Sequence, residues 1–207
     1  DALTSTEQVE YQWTTLEANT KQALIKWNAE SSVKPAFRAI VLMTILGASL
    51  HAVQDFYSHS NWLKQVKAPY PIWFEVSSED RAKLSLRSGW YPDGDEPNVL
   101  YHKDENKDSS GRILNAEAFD AATRASNDWV KRIVTETPNL PWATLKAWKP
   151  EPENTNGPWL RNADATFLTT TSAVTGHWDG PTPVKNVFNP DPERNRNMAI
   201  QAFLLTA

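Results

Sequence analysis

The chain has 207 residues, enough for one domain or one domain with an appendage, and ample for a buried core. Its net charge of −4 argues against a broad basic face for nucleic acid. The absence of cysteine excludes disulfides and Cys-type zinc sites, leaving histidine and carboxylate as metal ligands.

Ten tryptophans and fourteen prolines stand out. Tryptophan suits both packed cores and lipid–water interfaces, and composition does not separate the two. Asp1 to Glu10 is polar, so no signal peptide is legible there. The most apolar run, Ala36 to Leu50, is interrupted by Arg38 and Thr44. It falls short of the ~20 residues a membrane span needs. No transmembrane segment is expected.

In chain order, Thr4 to Glu7 reads as a capping box, opening a helix that runs to about Ala29. Val9, Trp13, Leu16, Leu24 and Trp27 share one face, with Thr20 in the gap. A second helix runs from about Lys34 to Ser58, with Pro35 in its first turn. It is apolar nearly all round, hence buried. Lys64 to Leu100 is mostly irregular. Within it, Ile72-Trp73-Phe74 reads either as a core plug or as a lipid-facing loop. Ser77 to Ser88 reads as a short helix with Gly89 as its C-cap. Asn115 caps a third long helix, Ala116 to about Glu136, whose packing face reads Phe119, Ala122, Ala125, Trp129 and Ile133. A short helix follows from Trp142 to Trp148. The domain is expected to be all-α over residues 1–148. Residues 149–207 form an irregular Pro/Thr-rich extension packed on it, with an extended stretch near 165–175 and a final helix near 193–205.

The chemistry concentrates at the end of the second helix, Leu46 to Trp62, LGASLHAVQDFYSHSNW. His51, Asp55 and His59 lie at i, i+4 and i+8, one stripe of a helix. Neighbours on that stripe rise about 6 Å and can meet on one cation; His51 and His59, about 12 Å apart, cannot share one. The spacing favours a cluster in which His51 and Asp55 hold one ion and His59 a neighbouring one. The alternative is a row of buried polar groups satisfied by hydrogen bonds. Ser58, Ser60 and Asn61 can orient ligands, and Trp62 stands at the pocket rim or staples the helix end. Further on, Asp104, Asn106 and Asp108 alternate as in a calcium loop, but Ser109 replaces the glycine and Asn115 the final glutamate of an EF-hand. An irregular loop bringing His102 and an aspartate to the cluster is one reading of this stretch. A solvated surface loop is the other. His177, in a His-Trp-Asp-Gly turn, is a remoter ligand candidate.

The run LHAVQDFYSHSNW resembles the signature helix of the zinc-dependent phospholipase C superfamily, in the branch of the heterokaryon-incompatibility C proteins (Het-C). The segment from Tyr101 to Asp108, YHKDENKD, is similar to the H-x-x-x-NKD segment of that branch. The resemblance spans roughly Asp1 to Val134. It implies an all-α helical domain of the phospholipase C and single-strand nuclease type, more than one zinc ion, and phosphodiester hydrolysis, often of phospholipids. Carried over by position, His51, Asp55 and His59 are metal ligands, and His102 is a further ligand or a brace for one. The chain departs from the pattern at Ala125-Ser126, where relatives carry a third-helix histidine, and no histidine precedes His51.

Three functions are therefore weighed. The first is a zinc-dependent phosphodiesterase acting on a phospholipid or related phosphodiester. Asp55, or an aspartate of the later loop, Asp104 or Asp108, would serve water activation, Asn61, Trp62 and Trp73 would be substrate contacts, and the chain would be secreted and in contact with a membrane surface. The second is a single-strand nuclease using Lys64, Lys67, Lys103 and Lys107. It ranks lower. The third is a non-catalytic, toxin-associated binding domain.

Overall fold

The computed structural model describes residues 3–31, 35–89, 94–95, 100–108 and 110–147. The expectations for the extension beyond 148, His177 included, lie outside these residues. The described chain is all-α: α1 (Thr6–Ala29), α2 (Pro35–His59), α3 (Trp62–Gln65), α4 (Ser78–Arg81), α5 (His102–Glu105), α6 (Asn115–Glu136) and α7 (Trp142–Ala147), with a 3-10 turn at Trp73–Glu75. Among the described residues no strand forms, only an isolated antiparallel bridge between Ser60 and Ser88. No described helix is long and apolar enough to cross a membrane.

The long helices follow their sequence patterns. Val9, Trp13, Leu16, Thr20, Leu24 and Trp27 of α1 are all buried, and Thr20 Oγ1 donates back to the Leu16 carbonyl at 2.6 Å. The helix starts one residue later than the Thr4–Glu7 box implies. Ser5 Oγ accepts from the Gln8 backbone N–H, while Gln8 Oε1 accepts from the Thr4 N–H at 2.7 Å. Ser5 is therefore the N-cap, and the Gln8 side chain reaches past it to Thr4 rather than closing a reciprocal box.

On α6 the buried stripe is Ala118, Ala121, Ala125, Trp129 and Ile133. Phe119 is 75 % exposed, which corrects its expected place in the packing face. Starting the stripe at Ala118 keeps the i, i+3, i+7, i+11 spacing and turns position 119 about 100° away.

The chain divides into two compact units, Asp1–Thr14 with Ala52–Asp128, and Thr15–His51 with Trp129–Ala207. In the second, Leu24, Leu42, Met43, Ile45, Leu46, Leu50 and Ile133 form the core. Trp129 Nε1 donates to Ser49 Oγ at 2.9 Å, satisfying the polar edge of a buried indole. Lys21 bridges Glu17 and Glu136 at 3.2 and 2.5 Å.

The first unit is built on aromatic packing. Trp13 stacks on Trp73 with ring centroids 5.2 Å apart, and Phe56 meets Trp13, Tyr57, Trp62 and Trp73 at 5.2 to 5.5 Å. Arg81 lies 4.3 Å from the Trp73 ring centroid, donates to the Trp73 and Val76 carbonyls, and pairs with Glu10. Burial raises the pKa of the Tyr57 phenol, so it stays protonated while it accepts the Trp73 N–H at 2.9 Å. The Ile72-Trp73-Phe74 stretch is thus a plug with Trp73 at its centre.

The helix expected over Ser77 to Ser88 is only one turn, α4, capped by Ser77 Oγ accepting from Asp80 N–H. Beyond it, competing partners claim the backbone. The Asn61 side chain takes the Ser85 carbonyl and the Arg87 N–H, and Leu3 takes Ser88. Gly89 is therefore not a helix cap.

Leu50→Ala should cost about 2–5 kcal/mol, because Leu50 is fully buried in a packed core. A urea unfolding curve with an unchanged slope and a lowered midpoint checks this.

Candidate metal centre

The site grows from the last turn of α2. An α-helix leaves its final four carbonyls without intrahelical partners. Here Phe56 O accepts from Ser60 N–H, Ser58 O from Lys107 N–H at 3.2 Å, and His59 O from Gly89 N–H at 2.9 Å. Two distant pieces of chain are thereby drawn onto the end of α2. One carries Gly89 and the other carries Lys107.

Gly89 sets how closely α5 can approach. A Cβ at this position would lie 2.6 Å from His102 Cα and 2.8 Å from His102 N. No side chain fits there. Glycine brings the His102 backbone in, and the His59 and His102 rings stack with centroids 4.2 Å apart at 29°.

Lys107 sets the other side. Its buried ammonium donates to Ser60 O at 2.8 Å, Glu105 O at 2.7 Å and Ser58 O at 3.3 Å, and pairs with the Glu105 carboxylate at 3.2 Å. Glu105 also takes Lys64 Nζ at 2.5 Å. Asp108, the next residue, brings Oδ2 to 3.2 Å from His59 Nε2, and Asp55 Oδ1 stands 4.0 Å from the same nitrogen.

Burial holds the His59 pKa below the ordinary histidine value, against the pull of the Asp55 and Asp108 carboxylates. Neutral imidazole is the ligand form. His59 Nδ1 is buried and has no hydrogen-bond partner. With the proton on Nε2 facing Asp108, Nδ1 presents an unused lone pair, which a cation would satisfy.

The donor types, two imidazoles and two carboxylates, match zinc in kind. Among the described residues, however, no three His, Cys, Asp or Glu side chains are gathered as a metal ion requires. Stacking accounts for this: each imidazole lone pair lies in its own ring plane, so stacked rings do not aim at one point.

His59, His102, Asp55 and Asp108 are thus brought together in one unit. His51, one turn before Asp55 on α2, belongs to the other unit. Trp62 and Trp73, expected among substrate contacts, are buried in the aromatic core, with Trp62 Nε1 donating to Pro71 O at 2.9 Å. The Asn61 amide is occupied by the backbone of residues 85 and 87. Gly89 and Glu105 escaped sequence reasoning as parts of the site. Lys107 was named there only as a basic contact for single-stranded nucleic acid and within the NKD segment, because burial of a lysine is not encoded locally.

Two consequences are measurable. Gly89→Ala should destabilise by about 1–3 kcal/mol, as overpacking does; denaturant midpoints and the loss of His59–His102 ring proximity by NMR check it. His59, with its pKa lowered on folding, contributes stability that is present above pH 6.5, its unperturbed value, and lost as pH falls through the lower folded value. Stability should therefore decline less steeply in His59→Asn than in the parent as pH falls from 6.5 through that lower value.

Compared with known proteins, residues 7–73 match the family described as the VWA7 N-terminal domain. The match takes in α1, α2 and the Trp73 plug, with His51, Asp55 and His59, and ends before His102. No curated protein and no solved structure matches the chain.

Proposed function

We propose that the chain is a zinc-dependent phosphodiester hydrolase resembling phospholipase C, acting on a phospholipid or related phosphodiester. One observation carries this reading. Two imidazoles and two carboxylates, from α2 and from the segment 102–108, meet at the end of α2, with the carboxylates on the Nε2 side of His59 and its buried Nδ1 left without a partner among the described residues.

His59, His102 and Asp55 are the proposed ligands, and holding one ion would require the stacked imidazoles to part. When bound, zinc supplies Lewis acidity that offsets phosphate charge and makes water a stronger acid. Asp108 is suited to proton transfer: its side chain is 53 % exposed, so substrate and water can reach it, while His59 fixes one of its oxygens. Asp55, also partly exposed, is the second candidate base. A phospholipid substrate would bring the chain to a membrane surface outside the cell, without any need for a spanning helix.

The nuclease reading has less support. Lys107 is buried, Lys64 is paired with Glu105, and Lys103 with Asp95. A non-catalytic binding domain is favoured by one specific observation, the absence of three convergent donors among the described residues.

Metal analysis of the purified protein, paired with a phosphodiesterase panel, tests these readings. We expect at least one zinc per chain and turnover of a chromogenic phosphocholine ester. Asp108→Asn should reduce kcat by about 10²–10⁴-fold, the usual weight of general base catalysis. His59→Ala should abolish turnover together with zinc. Cleavage of single-stranded DNA instead would favour the nuclease, and zinc without turnover the binding domain. A chain that takes up no zinc would overturn the proposal.

A further inference from the structure

The proposed reaction does not use the most deeply buried charges near the site, Lys107 and Glu105, which are 3 % and 1 % exposed. Burying an ion pair rarely adds stability over an apolar pair of the same volume, so its presence calls for a specific role. Its connections are informative. One ammonium gathers Ser58 O and Ser60 O from the end of α2 and its continuation, and the main-chain carbonyl and side-chain carboxylate of Glu105 from the end of α5. The Lys107 backbone repeats the link, its N–H donating to Ser58 O and its carbonyl accepting from Asn115 Nδ2 at the start of α6. Asn106 N–H donates to His102 O, and Asn106 Oδ1 accepts the Asp108 N–H at 2.8 Å. The residues on both sides of Lys107 are thus tied to the cluster.

We infer that Lys107 is the positioning residue of this centre: its ammonium, shared between Glu105 and the carbonyls that end α2, holds His102 and Asp108 in register with His59. This rests on the proposed metal centre for its functional meaning, but the placement itself is independent of any reaction. Lys107 touches neither a ligand oxygen nor a ligand nitrogen. It acts through the main chain on both sides of the cluster.

The test compares the parent with Glu105→Leu/Lys107→Met, which removes both charges and so leaves no buried ion unpaired. Helical circular dichroism should persist. In the metal-free protein, the NMR cross-peaks between His59 and His102 ring protons should disappear, and zinc affinity, read by chelator competition, should fall about 10–100-fold, the range for groups that orient ligands. Lys107→Met alone, which leaves the Glu105 carboxylate paired with Lys64, should move both readouts in the same direction, and it carries the test if the double variant does not fold. Persistent ring cross-peaks with unaltered zinc affinity in a folded variant would overturn the inference. If the parent itself binds no zinc, the ring cross-peaks alone still decide whether Lys107 positions the histidines, so failure of the metal centre and failure of this role remain distinguishable.

Discussion

The open carbonyls at the end of α2 are the constraint from which the site follows. A helix that stops inside a protein must find donors for its last turn. Here they come from Ser60, Gly89 and Lys107, and the last two lie far along the chain. Satisfying these carbonyls draws in the residues beside them. His102 arrives over Gly89, and Asp108 arrives beside Lys107. The same hydrogen bonds that end the helix therefore assemble the imidazoles and carboxylates.

The aromatic core of this unit explains why its tryptophans are not a surface feature. Trp13, Trp62 and Trp73 interlock with Phe56 and Tyr57 beneath the same stretch of α2. Trp62 Nε1 donates to Pro71 O, and Tyr57 OH accepts the Trp73 N–H. Large rings with few rotatable bonds give a rigid footing. Side chains that must keep a fixed mutual geometry need such support.

Burial has opposite uses on the two sides of the cluster. At His59 it keeps an imidazole neutral and leaves Nδ1 unsatisfied, a state suited to binding a cation. At Lys107 it also disfavours the charge, but the Glu105 carboxylate and three carbonyls compensate it. One buried group is left wanting a partner and the other is fully supplied. That contrast separates a group poised to bind from a group that holds structure.

The sequence by itself determined the long helices, their boundaries to within a residue or two, and the buried face of α1, because periodicity and capping are local. It also singled out His51, Asp55, His59 and His102 as ligand candidates, with Asp108 as a candidate base. Only the tertiary structure decided that Phe119 faces outward, that the N-cap of α1 is Ser5, that Trp62 and Trp73 are core, and that the Ser77–Ser88 helix stops after one turn. These outcomes depend on partners distant in sequence: Asn61 competes for the backbone of residues 85 and 87, and the space beside His102 dictates glycine at 89. Whether a lysine is a surface charge or a buried clamp is likewise settled by what surrounds it, and no local pattern carries that information.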